Sequence, residues 1–126
     1  MTLLLSGERA LGKPLVGNQI LASVLSEGVQ ANDAWLYQWG SQQVLAVPVR
    51  NPEGAAPWEP RVVWLTSGSP GSKPEARSAR MRVPRLMPGE TEWVLVDLPR
   101  HLEAFHLEVR ERDSGRGFVV EKERGP

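Results

Sequence analysis

A chain of 126 residues without a single cysteine is sized for one domain and buries roughly 65–70% of the surface its unfolded form exposes, so no covalent or metal staple is required. The missing thiols exclude disulfides, thiolate zinc sites and cysteine nucleophiles together, although exported proteins can also lack cysteine. Fifteen basic and fifteen acidic residues cancel, which removes the whole-molecule field that would gather nucleic acid or anionic lipid.

The opening Met1 to Glu8 carries three consecutive leucines and no basic flank, too short for a signal core or a membrane span. A chain complete as written is expected to be cytoplasmic; one cut from an exported precursor is expected in the periplasm or envelope. Gly12 and Pro14 then punctuate the chain before Asn18 to Glu27, where Ile20, Leu21, Val24 and Leu25 recur in apolar pairs. That spacing predicts a short helix, with Asn18 as N-cap and Gly28 as the left-handed residue beyond its end. β-branched residues in the same window keep a strand open as the competitor. The N-terminal side, residues 12–30, is thus read as helical or irregular.

From Ala34 the period changes to two. Trp35, Tyr37 and Trp39 fall on one face of a predicted strand and Leu36 and Gln38 on the other. Gly40 and Ser41 turn the chain into Val44 to Val49, apolar enough for a central strand covered on both faces, except that Pro48 cannot donate to a ladder and belongs at an edge or a bulge. Beyond a proline-rich corner, Arg61 to Thr66 reads as a strand, and Ser67 to Pro74 as a solvated loop with almost nothing to bury. Met81 to Val83 suggests a short strand, and Pro88-Gly89 a type II turn. Glu92 to Leu98 alternates, as does Phe105 to Arg110 with Phe105, Leu107 and Val109 inward. Asp113 to Gly115 then turns into Gly117 to Glu121, setting Phe118 or Val119 on the same core. Six or seven short strands between proline and glycine turns predict a mainly β fold: one domain over residues 1–126, a two-sheet immunoglobulin-like sandwich with one short N-terminal helix.

The corner itself, Arg50-Asn51-Pro52-Glu53-Gly54-Ala55-Ala56-Pro57-Trp58, is the most specific feature of the chain. Pro52 and Pro57 remove two amide donors and hold Asn51 and Ala56 extended, Gly54 permits a positive φ, and Trp58 supplies a large anchor. The expected product is a rigid strand-to-strand corner pinned by an indole; a ligand-contacting loop is the alternative. This R-N-P-x-G-x-x-P-W core, with Leu4 to Gly7, Gly28-Val29, the aromatic Trp35 to Trp39, Met87-Pro88-Gly89 and Phe105 to Val109 around it, resembles a myxobacterial family of paralogous β-rich proteins of unknown function. The resemblance covers most of the chain. It implies that the chain is similar to the C-terminal half of longer members that begin with a signal peptide and an additional β segment, and it implies no catalytic or binding residue.

The chemistry-bearing residues are sparse. His101 and His106 are the only histidines, and their spacing fits no ligand pair; without cysteine, a zinc site would need distant carboxylates. No nucleophile elbow, phosphate loop or dinucleotide fingerprint occurs, and Glu90 and Glu92 read as solvated acids. The chain is therefore expected to be no enzyme and to use no cofactor and no metal. Its partners are expected to be another protein or a second copy of itself. Nucleic acid, a membrane span and a small-molecule ligand are not expected.

Two features suggest where a partner would bind. Lys73 to Arg85 holds five basic residues against one acid, and Glu90 to Asp113 seven acids against three arginines, which are either two solvated faces or complementary halves of an interface involving Arg77, Arg80 and Arg82. Five tryptophans exceed expectation, and the Trp35, Tyr37, Trp39 face is either core or a recognition platform for carbohydrate or a proline-rich peptide. The reading that follows is a structural or protein-binding module using strand edges and charged faces, with a carbohydrate- or envelope-binding module as the alternative.

Overall fold

A computed structural model describes residues 16–19, 22–39, 42–98 and 102–123, the side chains of 16–19 and of Trp39 excepted. These residues form eleven strands: β1 Val16–Gln19, β2 Ser23–Glu27, β3 Gln30–Ala31, β4 Trp35–Trp39, β5 Gln42–Arg50, β6 Val62–Ser67, β7 Glu75–Ala76, β8 Ala79–Arg80, β9 Thr91–Leu98, β10 Phe105–Arg110 and β11 Gly117–Lys122. Every pairing is antiparallel. The first sheet runs β1-β4-β5-β9-β8 with β3 also on β5, and the second runs β2-β11-β10-β6-β7. Among the described residues no helix is long and apolar enough to cross a membrane.

Alternation decides which residues meet between the sheets. On β5 and β9 the inward set includes Leu45, Val47, Val49, Val94 and Val96, and on β6, β10 and β11 it includes Val63, Leu65, Phe105, Leu107, Val109, Phe118 and Val120. All of these join one buried cluster with Trp58 and Leu86. Burial of such side chains is worth about 1.5–3 kcal/mol each, and it is the term that stacks the two sheets. At the closing hairpin the register sets Val109 opposite Phe118, so Phe118 faces the core while Val119 stays half-buried on the outer face.

Among the described residues the predicted N-terminal helix is absent. Asn18 and Gln19 belong to β1, residues 20–21 lie outside the described residues, and Ser23–Glu27 is a strand whose register runs Leu25↔Val119 and Val24↔Val120 against β11. Apolar pairs such as Val24 and Leu25 suit one face of a helix or opposite faces of a strand equally well. Backbone pairing with a strand some ninety residues away, which no local pattern carries, selects the strand. Gly28 does take the left-handed conformation expected of it, φ 77°, but it ends a strand and not a helix.

Two further expectations change. Pro48 sits at neither a sheet edge nor a bulge: β5 pairs with β9 through an unbroken register that includes Pro48↔Trp93. On the other side of β5, β4 covers residues 42–46 and β3 covers 49–50. Pro48 falls in the break between them, where a missing amide donor costs no ladder bond. The short strand expected at Met81 to Val83 is instead β8, two residues earlier, where Ala79 lies opposite Val96. The chain reaches it from β7, so within a few residues it crosses from the edge of one sheet to the edge of the other. The turn expected at Gly40 and Ser41 lies outside the described residues.

Candidate functional site

The proline corner closes on itself. Asn51 is fully buried; its side-chain Nδ2 donates to Ala56 O at 2.9 Å and to Leu86 O at 3.0 Å. Its backbone N–H donates to Glu90 O at 2.9 Å and its carbonyl accepts from the Gly89 N–H at 2.7 Å. One asparagine thus ties the corner to the Pro88-Gly89 turn, where the Glu90 N–H donates to Met87 O at 3.1 Å and Gly89 has φ 81°, as a type II turn requires. Gly54, also at φ 81°, lies in a second turn in which the Ala55 N–H reaches back to Pro52 O at 3.3 Å.

Trp58 ends the corner with no exposed surface. Its backbone exchanges hydrogen bonds with Leu86 at 2.9 and 2.7 Å, its ring lies 6.3 Å from that of Phe118 at 42°, and its indole Nε1 donates to Arg116 O at 2.8 Å. The structural-corner residues Asn51, Pro52, Gly54, Pro57 and Trp58 therefore form one hydrogen-bonded unit. Its organiser is a residue the sequence does not single out.

Arg116, in the turn between β10 and β11, donates from Nη1 to Asn51 Oδ1 at 3.0 Å and to Gly28 O at 3.4 Å. From Nη2 it donates to Ala56 O at 2.8 Å and Pro57 O at 3.1 Å, and from Nε it reaches Glu111 Oε1 at 3.4 Å. A planar guanidinium with five donors is suited to collecting carbonyls in this way. Its stem also explains Gly28, since a Cβ there would run into Arg116 Cγ and lie 2.6 Å from Cδ. A single arginine in a hairpin turn carries no local signal for contacts 60 or more residues away.

Glu111 completes the clamp. Burial alone would raise its pKa, but hydrogen bonds from the Arg116 backbone and side chain, with the charges of Arg116 and Arg112, outweigh that and hold it below the ordinary glutamate value. A carboxylate depressed in the folded state stabilises the fold above the unfolded-state value, and that contribution is lost as pH falls through the folded value. We expect the melting temperature to fall as pH drops below the ordinary glutamate range, and Glu111→Gln to flatten that limb. A Gln variant with the parent's acid profile would show that other carboxylates govern it.

The other candidate residues whose side chains are described lie in two places. Trp35 and Tyr37 stand on the outer face of the first sheet in a second apolar cluster with Val44, Ala46, Trp93 and Leu95. Tyr37 is only 4% exposed there, so it is a packed ring and not an open platform; the Trp39 side chain lies outside the described residues. Arg77, Arg80 and Arg82 bring the two charge runs together within the chain, because β8 lies beside β9. Arg80 pairs with both oxygens of Asp97 at 3.1 and 3.3 Å. Arg77 donates to Asp97 O at 3.2 Å, and Arg82 grips the largely buried Glu92 at 3.2 and 3.3 Å. Exposed pairs such as Arg80–Asp97 contribute little on their own, about 0–1 kcal/mol.

The candidate acids Glu90 and Glu92 lie apart from His106, the histidine that is described. Glu92 points inward to Arg82 while Glu90 accepts the Met87 N–H at 2.9 Å. His106 is on the outer face of the second sheet, 2.8 Å from Glu121, and His101 lies outside the described residues. Among the described residues no group of three metal-ligating side chains converges. A family described as a protein of unknown function, DUF2381, matches residues 7–122 of the chain. No curated protein and no solved structure matches it.

Proposed function

We propose that this chain, which belongs to the DUF2381 family of proteins of unknown function, is a non-enzymatic protein-binding module that adds a strand from a second copy or a partner protein to the free side of β2. The observation that carries this reading is the edge itself. β2 is five residues long, pairs among the described residues on one side, with β11, and is exposed along most of its length with Leu25 at 69%. An edge strand offers a row of backbone donors and acceptors, and natural edges are usually blunted by lysine, proline or a bulge. Ser23-Val24-Leu25-Ser26-Glu27 carries none of these. Of the other edges, β7 and β8 are two residues each, too short to pair with much, and β1 at the end of the first sheet has four. The finer fold name, an immunoglobulin-like sandwich, and kinship with the myxobacterial paralogues through the R-N-P-x-G-x-x-P-W corner belong to the same proposal.

Strand addition gives affinity through main-chain bonds and specificity through alternate side chains. The arginines of the β8 face, already paired with Asp97 and Glu92, would add steering more than contact energy. Sedimentation over a concentration series tests the homotypic form: the mass should rise with concentration, and Leu25→Lys should return it to the monomer. Added salt, or reversal of Arg77, Arg80 and Arg82 to glutamate, should slow association without abolishing it. A chain that stays monomeric to high concentration and takes up no added strand would defeat the reading.

A further inference from the structure

We propose that the outer face of the second sheet binds one ring of a neutral saccharide, stacked on the indole of Trp64. Of the tryptophans whose side chains are described, Trp58 is fully buried, Trp35 and Trp93 are packed into the outer cluster of the first sheet, and Trp64 alone is open, at 38%. Its backbone is held on both sides. β6 is flanked by β10 and β7, and Trp64 lies opposite Glu108 on one side and the small Ala76 on the other, so the indole projects from a strand paired on both sides.

Around it lies an open depression of about 610 Å³ lined by Trp64, Thr66, Lys73, Pro74, His106 and Glu108, within the usual range of ligand sites. The lining combines one flat aromatic face with a hydroxyl, an ammonium, an imidazole and a carboxylate. Glu108 gives one oxygen to Arg110 at 3.0 Å, and a carboxylate offers about four acceptor directions, so capacity remains for a ligand donor. A pyranose ring has the matching form: a C–H face that covers an indole and a rim of hydroxyls that donate and accept.

Other ligand classes fit less well. An anion would meet Glu108 in the lining itself, and Arg110 beside it is already committed to Glu108 and Glu27, which leaves Lys73 as the lining's own cation. A quaternary ammonium calls for an aromatic cage, and this site has one ring. A stacked nucleobase needs a basic groove for its phosphates. The site is independent of strand addition at β2: β11 and β10 intervene, which places Leu25 about 14 Å from Trp64 at ordinary strand spacing.

Titration of ¹⁵N-labelled protein with maltohexaose, cellohexaose, mannohexaose and chitohexaose, followed through the indole and amide signals, tests the proposal. At least one sugar should shift the Trp64 indole and the Thr66 and His106 amides saturably at millimolar concentration. Trp64→Ala should weaken binding by about tenfold or more, and Trp64→Phe, which keeps a smaller ring, by less. The spread of amide signals in each variant reports that the fold is intact, as expected for a half-exposed residue. Absence of a saturable shift with all four sugars, sugar shifts that survive Trp64→Ala, or shifts produced only by a proline-rich peptide would each overturn it.

Discussion

Replacing Trp58 with alanine is expected to lower stability by about 3–5 kcal/mol, the range found when a buried aromatic is truncated and its site cannot collapse. Collapse is opposed here on every side. Pro57 and Pro52 stiffen the corner, Leu86 and Phe118 pack against the ring, and the Arg116 carbonyl loses the indole donor that reaches it at 2.8 Å. With a domain of this size, such a loss should move the melting temperature down by about 10 °C or more, and domains of this kind have only about 5–15 kcal/mol in total. Trp58→Phe should cost less, since it keeps most of the apolar contact and gives up the hydrogen bond. A Trp58→Ala protein that melts within a degree or two of the parent would return the corner to the ligand-loop reading.

Asn51→Ala should come second, at about 2–4 kcal/mol. The side chain is fully buried and makes three hydrogen bonds, and alanine removes all three, although the Ala56 and Leu86 carbonyls keep a second donor each, Arg116 Nη2 and the Trp58 N–H. A lost hydrogen bond of this kind is worth about 0.5–1.5 kcal/mol net, more where one partner is charged as Arg116 is, and the cavity left by the amide adds to the cost. The partition is measurable. A cycle combining Asn51→Ala with Arg116→Ala should show a coupling of about 0.5–3 kcal/mol, because both residues hold the same carbonyl, Ala56 O. Strict additivity of the two denaturation midpoints would mean that the clamp is two separate contacts.

How far the sequence foretold this molecule depends on the range of the interaction. Period-two alternation located β4, β9 and β10 within a residue or two, since one side of each strand faces the core and the pattern is local. The corner was legible because proline, glycine and asparagine at those positions narrow the backbone to few conformations. Alternation could not say which face of β4 is inward. Trp35 and Tyr37 share a face as expected, but it is the outer one, where packing against Trp93 and Leu95 from β9 buries Tyr37. The strand at Ser23–Glu27 and the role of Arg116 depend on partners many tens of residues away; the strand leaves only an ambiguous local signal in its β-branched residues, and Arg116 leaves none. Charge runs behaved likewise: their separation in sequence hid that β8 would lie against β9 and pair Arg80 with Asp97.

The same limit shapes the functional reading, because an edge strand is a property of the finished sheet. β2 has five residues with, among the described residues, a single bonded neighbour, and the proposal that it receives another strand makes a residue-level claim. Amide hydrogen exchange of Ser23 to Glu27, compared between dilute and concentrated protein, is the most direct measurement of it. Strand addition predicts that the β2 amides not bonded to β11 exchange more slowly as concentration rises, and that Leu25→Lys abolishes the change. Association accompanied by new protection elsewhere, with β2 exchanging at its dilute rate, would contradict the account.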